Sequence, residues 1–141
     1  MNTLHFEIVT PERVMLKEDI QQVLVPTIEG DITILPKHMP LVGILKPGVL
    51  EIKTVAGAIE TMAVSGGFVE VLPNKVVVLA DTAERAQEID EERAEKSRQR
   101  AEEIMKEKGE HIDFAGAQAK IAKEVARIRA VVRHRHLQNK H

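Results

Sequence analysis

The segment "IDEERA", Ile89 to Ala94, opens a densely charged tail and places Asp90 three residues ahead of Arg93. Two roles are open to this pair. In one, Asp90 caps a helix N-terminus, with Glu91 and Glu92 favourably placed at the positive end of the macrodipole. In the other, the carboxylate and guanidinium recognise a ligand. Arg93 and Arg100 are seven residues apart, hence on one helix face and about 10 Å apart along its axis, and Lys123 with Arg127 makes an i, i+4 pair further on. If two helices fold back on each other about Gly109 to His111, Arg93 faces Arg127 and Ser97 faces Lys123. Cations converging near a helix N-terminus suit a polyphosphate, and Asp90 and Glu84 can accept hydrogen bonds from whatever that phosphate chain carries. The plainer reading of the same residues is a capped helix with a solvated basic face, in which Lys96 pairs with Glu124.

No other group of residues points to chemistry. The chain has no cysteine, so it has no thiol nucleophile, disulfide framework or cysteine-based metal site. His134 and His136 are two positions apart on a helix and diverge, and with His141 they read as part of a basic tail, so no metal site is expected. The segment "VSGG" lacks the strand-to-helix serine elbow, and no glycine-rich phosphate loop occurs. Glu91 and Glu92 sit side by side on a helix surface, unlike an acid/base dyad. No active site is expected.

Composition narrows the partners. With a net charge of −2 and only Phe6, Phe68 and Phe114 as aromatics, the chain offers neither excess cation for a phosphate backbone nor a platform for stacked bases. Nucleic acid is excluded on both counts. The hydrophobic share of 43% supports a packed core. No segment approaches the ~20 apolar residues that cross a bilayer, so any membrane contact is expected to come through a partner.

Two grammars divide the chain. From Leu4 to Ala80, short runs rich in Val and Ile ("LHFEIVT", "RVML", "IQQVLVPT", "DITIL", "MPLVGIL", "GVLEIKT", "AIETMAVS", "FVEVLP", "KVVVLA") alternate with Gly, Pro, Asn and Asp. Such spacing predicts an antiparallel β-sandwich, with turns at Gly66-Gly67 and Pro73-Asn74. Residues 1–80 hold 6 basic and 9 acidic groups, whereas residues 81–110 hold 7 and 11 and residues 111–141 hold 7 and 2. That density predicts two solvated helices, acidic then basic, with a break at Gly109 and Asp113 capping the second. The expected class is α+β: a sandwich over residues 1–84, then a helical hairpin over residues 85–141.

Where the first helix begins stays open, because "DTAERAQEID" reads equally as helix or as extended chain ending at an Asp90 cap. Its buried stripe is expected at Ala94, Ser97, Ala101, Ile104 and Lys108. The second helix has two apolar stripes, one through Phe114, Ala117, Ile121, Val125, Ile128 and Val132, the other through Ala115, Ala119, Ala122, Ala126 and Ala130. One stripe can pack on the partner helix and the other on a second surface.

The combination of "HMPL", "PLVGILKPGVL", "VSGGFVEV" and "VVVLADTAERAQEID", in that order, closely resembles the epsilon subunit of bacterial F-type ATP synthases over nearly the whole chain. One departure is Lys37 before His38, where the family commonly has glycine. The resemblance implies a non-catalytic subunit of the rotating central stalk, peripheral on the cytoplasmic face of the plasma membrane. It implies a sandwich held by the gamma subunit and the c-subunit ring, with the turn at His38, Pro40 and Leu41 among the contacts. It also implies a mobile hairpin whose basic second helix, with Lys123, Arg127, Arg129 and Arg133, meets a beta subunit beside alpha and blocks ATP hydrolysis. "IDEERA" fits the I/L-D-x-x-R-A pattern by which some family members bind ATP, which stabilises the folded-down hairpin. By that resemblance Ile89 and Ala94 contact the base and Arg93, Arg100 and Arg127 the phosphates, with Glu84, Asp90 and Lys123 nearby. Lys123 stands where strong binders have arginine, which replaces a bidentate fork by a point charge. No cofactor is required by this reading, and ATP enters as a regulatory ligand. The competing reading is a free-standing nucleotide-sensing or scaffold domain with a helical arm. The resemblance further implies that "DTAERAQEI" is extended.

Overall fold

A computed structural model describes residues 2–107 and 113–139. The break expected at Gly109, with Lys108, His111 and His141, lies outside the described residues. The apolar runs condense into seven strands: β1 (Leu4–Val9), β2 (Val14–Thr27), β3 (Gly30–Ile34), β4 (Leu41–Ile44), β5 (Gly48–Thr54), β6 (Ile59–Leu72) and β7 (Lys75–Arg85). A single 3-10 turn, Ala86–Glu88, then leads to α1 (Glu91–Lys106) and α2 (Phe114–Gln138).

Two of the strands are longer than the sequence runs suggest, because each serves both layers. The first half of β2 pairs with β1 from Leu4↔Ile20 to Val9↔Val14, and its second half pairs with β5 and β3, with an irregularity between Ile20 and Gln22 where the partner changes. In the same way β6 pairs with β5 up to Gly48↔Val64 and with β4 from Ile44↔Phe68 onward, while β7 follows it from Met62 to Leu72. The path β1-β7-β6-β5-β2 closes because β2 pairs back onto β1. The sandwich is not wholly antiparallel, since β1 and β7 run parallel from His5↔Lys75 to Val9↔Leu79. The chain's N-terminal strand fills the gap beside its last one, which leaves the closed path without a free edge there.

Gly66 and Gly67, expected to form a turn, instead bend β6 in mid-strand without loss of register against β7, at the point where β6 passes from β5 to β4. The reason is steric. Both residues have positive φ (59° and 107°), and a Cβ on Gly67 would lie 1.9 Å from the Leu79 carbonyl oxygen. The expected reversal at Pro73-Asn74 does form, with Leu72 paired to Lys75.

The main core is built from the inward positions of these strands, including Phe6, Ile8, Ile20, Val23, Ile34, Leu50, Ile52, Val69 and Val78, all sealed from solvent. Glu18 faces the inner side opposite Phe6, and its Oε1 is buried without a partner. Burial, reinforced by the Glu60 charge, pushes its carboxyl above the ordinary value. A second and much smaller cluster of Ala63, Ala86, Ile89 and Ala130, flanked by Val49 and Val131, joins α2 to the outer face of β5 and β6. Thus α2 contacts both the sandwich and α1.

Neither apolar stripe of α2 is buried along its full length. Ala117 faces α1 and Ala126 and Ala130 are covered, whereas Phe114, Ala115, Ala119, Ala122 and Val132 remain exposed. A helix of this length extends ~37 Å, and the sandwich covers only the part around Arg127 to Arg133. On α1, Ala94 and Ala101 are buried as expected, but Ile104 is exposed.

Gly67→Ala is expected to destabilise the chain by at least ~3 kcal/mol, since the clash is with backbone and the φ is unfavourable for any L residue. Urea unfolding followed by far-ultraviolet circular dichroism measures it, and a loss below ~1 kcal/mol contradicts the assignment of Gly67 as an obligatory corner.

Candidate functional site

The extended chain persists through Arg85, and α1 starts at Glu91 with Asp90 as its cap, which resolves the alternative left open by "DTAERAQEID". The Arg93 N–H donates to Asp90 Oδ1 at 3.1 Å, and the Asp90 carbonyl accepts from Ala94 N–H at 3.0 Å. Asp113 caps α2 likewise, accepting from Gly116 N–H at 2.8 Å. Two well-capped helices therefore meet side by side, and their facing small residues leave room between the long side chains that flank them.

That room is a cleft of about 650 Å³ near the start of α1. Arg93, Lys96 and Arg100 enter it from α1, and Lys120, Lys123 and Arg127 enter from α2. Four carboxylates oppose them: Glu84 of β7, Glu88 of the 3-10 turn, Asp90 and Glu124. Several of these acids are already engaged. Glu84 and Glu124 both hold Arg127, whose Nη1 donates to Glu124 Oε2 at 2.9 Å and whose Nη2 donates to Glu84 Oε2 at 3.2 Å. Arg127 Nε lies 3.0 Å from Glu84 Oε1 but off the hydrogen-bond axis, so it counts as an ion-pair contact without a bond. Burial alone would lower the Arg127 guanidinium, but Glu124 and Glu84 outweigh it and keep the group above its ordinary value. Glu88 lies 3.7 Å from Arg85, and Lys96 is 3.4 Å from Glu92. Arg93, Arg100, Lys120 and Lys123 have no ion pair among the described residues. The cleft can receive a polyanion on these four cations, with carboxylates at its inner end.

Of the residues singled out by sequence, Glu84, Asp90, Arg93, Arg100, Lys123 and Arg127 do line one cleft. Ile89 and Ala94 do not. Ile89 is packed with Ala63, Ala86 and Ala130, and Ala94 is sealed against α2, so both hold the walls in place. The expected Lys96–Glu124 pair does not form, because Glu124 turns to its i+3 neighbour Arg127 and Lys96 turns to its i−4 neighbour Glu92. Lys96, Ser97, Lys120 and Glu124 were not assigned to a site by sequence. Lys120 had a readable signal, since it stands three residues before Lys123 on the same helix face.

The basic face of α2 is partly committed to the sandwich. Arg133 is paired with Glu51 of β5 and Arg127 with Glu84 of β7, while Arg135 is paired with Glu91 of α1 and Arg129 is exposed. Among the described residues Arg135–Glu91 is the one ion pair between the helices, so mutual neutralisation of an acidic and a basic helix is not what joins them. The acidic helix instead satisfies itself: Arg98 lies between Glu95 and Glu102 on α1.

A second candidate surface lies on the sandwich itself, around the turn before β4. Lys37 adopts φ 67°, a left-handed conformation that glycine takes without strain, and its N–H donates to the Pro73 carbonyl at 3.1 Å. His38 Nδ1–H donates to the Met39 carbonyl at 2.8 Å, so the imidazole holds the turn. Beside it Met39 is 79% and Val42 73% exposed, Pro40 is exposed, and Leu41 packs partly against the core. Ile44, Phe68, Leu79 and Val9 follow each other across β4, β6, β7 and β1 in direct register, and the first three are about half exposed. A contiguous apolar row of this kind on a sheet face marks an interaction surface. Among the described residues no group of acidic, histidine or cysteine side chains could hold a metal ion, and no helix is long and apolar enough to cross a membrane.

Residues 3–86 match the family described as the ATP synthase delta/epsilon chain β-sandwich domain, and residues 87–131 match its long α-helix domain. The chain is 50% identical over 132 residues to an ATP synthase epsilon chain of Chloroflexus aggregans, covering 94% of each chain. It is 45% identical over 130 residues to the epsilon chain of Moorella thermoacetica, covering 92% of this chain and 97% of the other. Among solved structures it superposes with a TM-score of 0.78 and 25% identity on a chain of the Euglena gracilis mitochondrial ATP synthase OSCP/F1/c-ring, covering 91% of this chain and 79% of that one.

Asp90→Ala is expected to destabilise α1 by ~1 kcal/mol, the usual loss for an N-cap. Hydrogen exchange should quicken at the amides of Arg93 and its neighbours while the strands keep their protection; unchanged exchange there removes Asp90 from the capping role.

Proposed function

The chain belongs to the delta/epsilon family of ATP synthase subunits, and on that premise we propose how its sandwich, arm and cleft divide the work of a central-stalk subunit. As an epsilon chain it is a non-catalytic part of the rotor, and its partners are the gamma subunit, the c-subunit ring and the alpha and beta subunits of the head. The subunit is a peripheral component of a membrane-bound complex, and we place it on the cytoplasmic face of the bacterial plasma membrane.

The apolar row through Ile44, Phe68 and Leu79, continued by Val42 and Met39, is the observation that carries the coupling role. Large apolar side chains aligned on a rigid sheet give a rotor partner a surface that is desolvated on docking, at ~25 cal/mol for each Å² buried. The gamma subunit fits this face, and the turn at His38, Pro40 and Leu41 at its end is offered to the c ring. Torque requires a stiff body between the two. The closed strand path with its double-length β2 and β6 supplies one.

The hairpin is the regulatory arm. Its hold on the sandwich is a small cluster of Ala63, Ala86, Ile89 and Ala130, flanked by Val49 and Val131, with two ion pairs, Arg127–Glu84 and Arg133–Glu51. Three of these six apolar side chains are alanine and the cluster is small, so little area is buried and docking is worth only a few kcal/mol. Released from the sandwich, Lys123, Arg127, Arg129 and Arg133 are free to meet an acidic segment of a beta subunit and block hydrolysis. ATP opposes that release. Its phosphates lie on Arg93, Arg100, Lys120 and Lys123, bridging α1 to α2, while Asp90 or Glu84 accepts a hydrogen bond from the ribose or base. A ligand at 100 times its dissociation constant adds ~2.7 kcal/mol, which is comparable with the docking itself. Lys123, a point charge without a fork, keeps the affinity modest.

Two measurements test these roles. The affinity-tagged chain should recover the gamma subunit and c ring from detergent-solubilised membranes, and Val42→Glu combined with Phe68→Glu should cut that recovery at least ten-fold; undiminished recovery moves the docking face elsewhere. Calorimetric titration with ATP should saturate, with Arg93→Ala raising the dissociation constant ten-fold or more. Heats that match buffer dilution up to several millimolar would eliminate ATP as the ligand.

A further inference from the structure

Glu124 is the one charged side chain that is buried among the described residues, at 3% exposure. It stands on α2 in the wall of the cationic cleft, and Arg127 Nη1 donates to its Oε2 at 2.9 Å. Its position is unusual in its surroundings. The cleft gathers six cations, which suits a polyanion, yet one wall carries a fixed and desolvated anion whose bond to Arg127 is made before any ligand arrives.

Arg127 would otherwise be a strong phosphate ligand, because a guanidinium presents a planar fork that fits phosphate oxygens. Here both arms of that fork are engaged, Nη1 with Glu124 and Nη2 with Glu84, and Nε is buried against Glu84. These two carboxylates differ in what they join. Glu84 belongs to β7, so its bond to Arg127 ties α2 to the sandwich. Glu124 is three residues before Arg127 on the same helix, so its bond ties α2 only to itself. The Glu124 charge therefore adds little to docking of the arm, and its chief effect is on the cleft. A phosphate approaching Lys120, Lys123 and Arg127 meets a like charge in a partly dry wall, where such repulsion is far stronger than in water.

Building on the reading of the cleft as an ATP site, we propose that Glu124 is an internal counter-anion, standing in for a phosphoryl group on Arg127, and that it sets an upper limit on how tightly the cleft holds a nucleoside polyphosphate. With Glu124 charged, ligand phosphates are confined to Arg93, Arg100, Lys120 and Lys123, and Arg127 keeps the arm on the sandwich whether or not ligand is present. With the charge removed, Arg127 turns one side of its fork to the ligand and still bonds Glu84 with the other.

Titration calorimetry of the full chain at fixed ionic strength tests this, with ATP and inorganic triphosphate used separately as probes. Glu124→Gln keeps the shape and an acceptor for Arg127 but loses the charge. Glu124→Met is a second charge-free variant of similar length, and far-ultraviolet circular dichroism reports whether each retains the helices. Glu102→Gln removes the same charge from α1 outside the cleft. Both Glu124 variants should bind both probes at least ten-fold tighter than the unaltered chain, a gain of ~1.4 kcal/mol, with Glu102→Gln within two-fold. Tighter binding by a Glu124 variant when the unaltered chain shows none also supports the proposal. If the unaltered chain binds ATP and neither folded Glu124 variant binds it more tightly, the counter-anion role falls while the ATP site stands. An equal gain in Glu102→Gln overturns it in favour of overall charge, and a gain with ATP but none with triphosphate overturns the claim that phosphates are what Glu124 opposes. Silence from every protein with both probes removes this proposal and the ATP site together.

Discussion

The shortness of the side chains between α2 and the sandwich governs much of this molecule's behaviour. Ala63, Ala86 and Ala130 let the helix approach β5 and β6 closely, but they offer few methylenes to take out of water. The contrast with the interior is sharp, where Phe6, Ile8, Ile20 and Leu50 are fully enclosed. One chain thus contains a body held by bulky apolar packing and an arm held by small residues and a pair of arginines. That difference suits the proposed role of the arm, because a few kcal/mol would move the arm and leave the body intact.

Much of this organisation was legible in the residues. The change from alternating Val and Ile runs to charged, proline-free chain located the two parts, and Asp113 announced the second helix start because a cap depends only on local sequence, whereas Asp90 was one of two readings for the first until the extended chain was seen to run through Arg85. The strand count was less accessible. β2 read as two strands because the charged run Lys17-Glu18-Asp19 interrupts its apolar pattern, and β6 because Gly66-Gly67 gives the same local pattern whether the chain reverses or merely bends; for β6 only the pairing of Ser65 with Thr82 and Gly67 with Ala80 distinguishes them. The parallel β1–β7 pair was invisible for a related reason, as its partners lie some 70 residues apart (His5 to Lys75) and no turn signals the contact.

The cleft was half legible. Heptad and i, i+4 spacings fix which residues share a helix face, so Arg93, Arg100, Lys123 and Arg127 were found together. What spacing cannot fix is which of several nearby acids a given cation chooses. Arg127 lies within reach of Glu84 and Glu124, and Lys96 within reach of Glu92, so the local pairs formed in preference to the one expected across the hairpin. Ile89 and Ala94 show the converse. Their places in a recognisable pattern suggested contact with a ligand, but their apolar side chains are drawn into packing that shapes the site from behind.

β7 passes into α1 through five residues, the 3-10 turn Ala86–Glu88 followed by Ile89 and Asp90, anchored at Ala86 and Ile89 on the same cluster that receives α2. In the proposed regulatory cycle a released arm stays tethered beside its own landing site and rebinds at a local concentration set by geometry, in the millimolar range typical of short linkers. Detachment and return form a unimolecular exchange. The fraction of subunits in each pose is then an intensive property of the single molecule, the same in a sparsely populated membrane as in a crowded one.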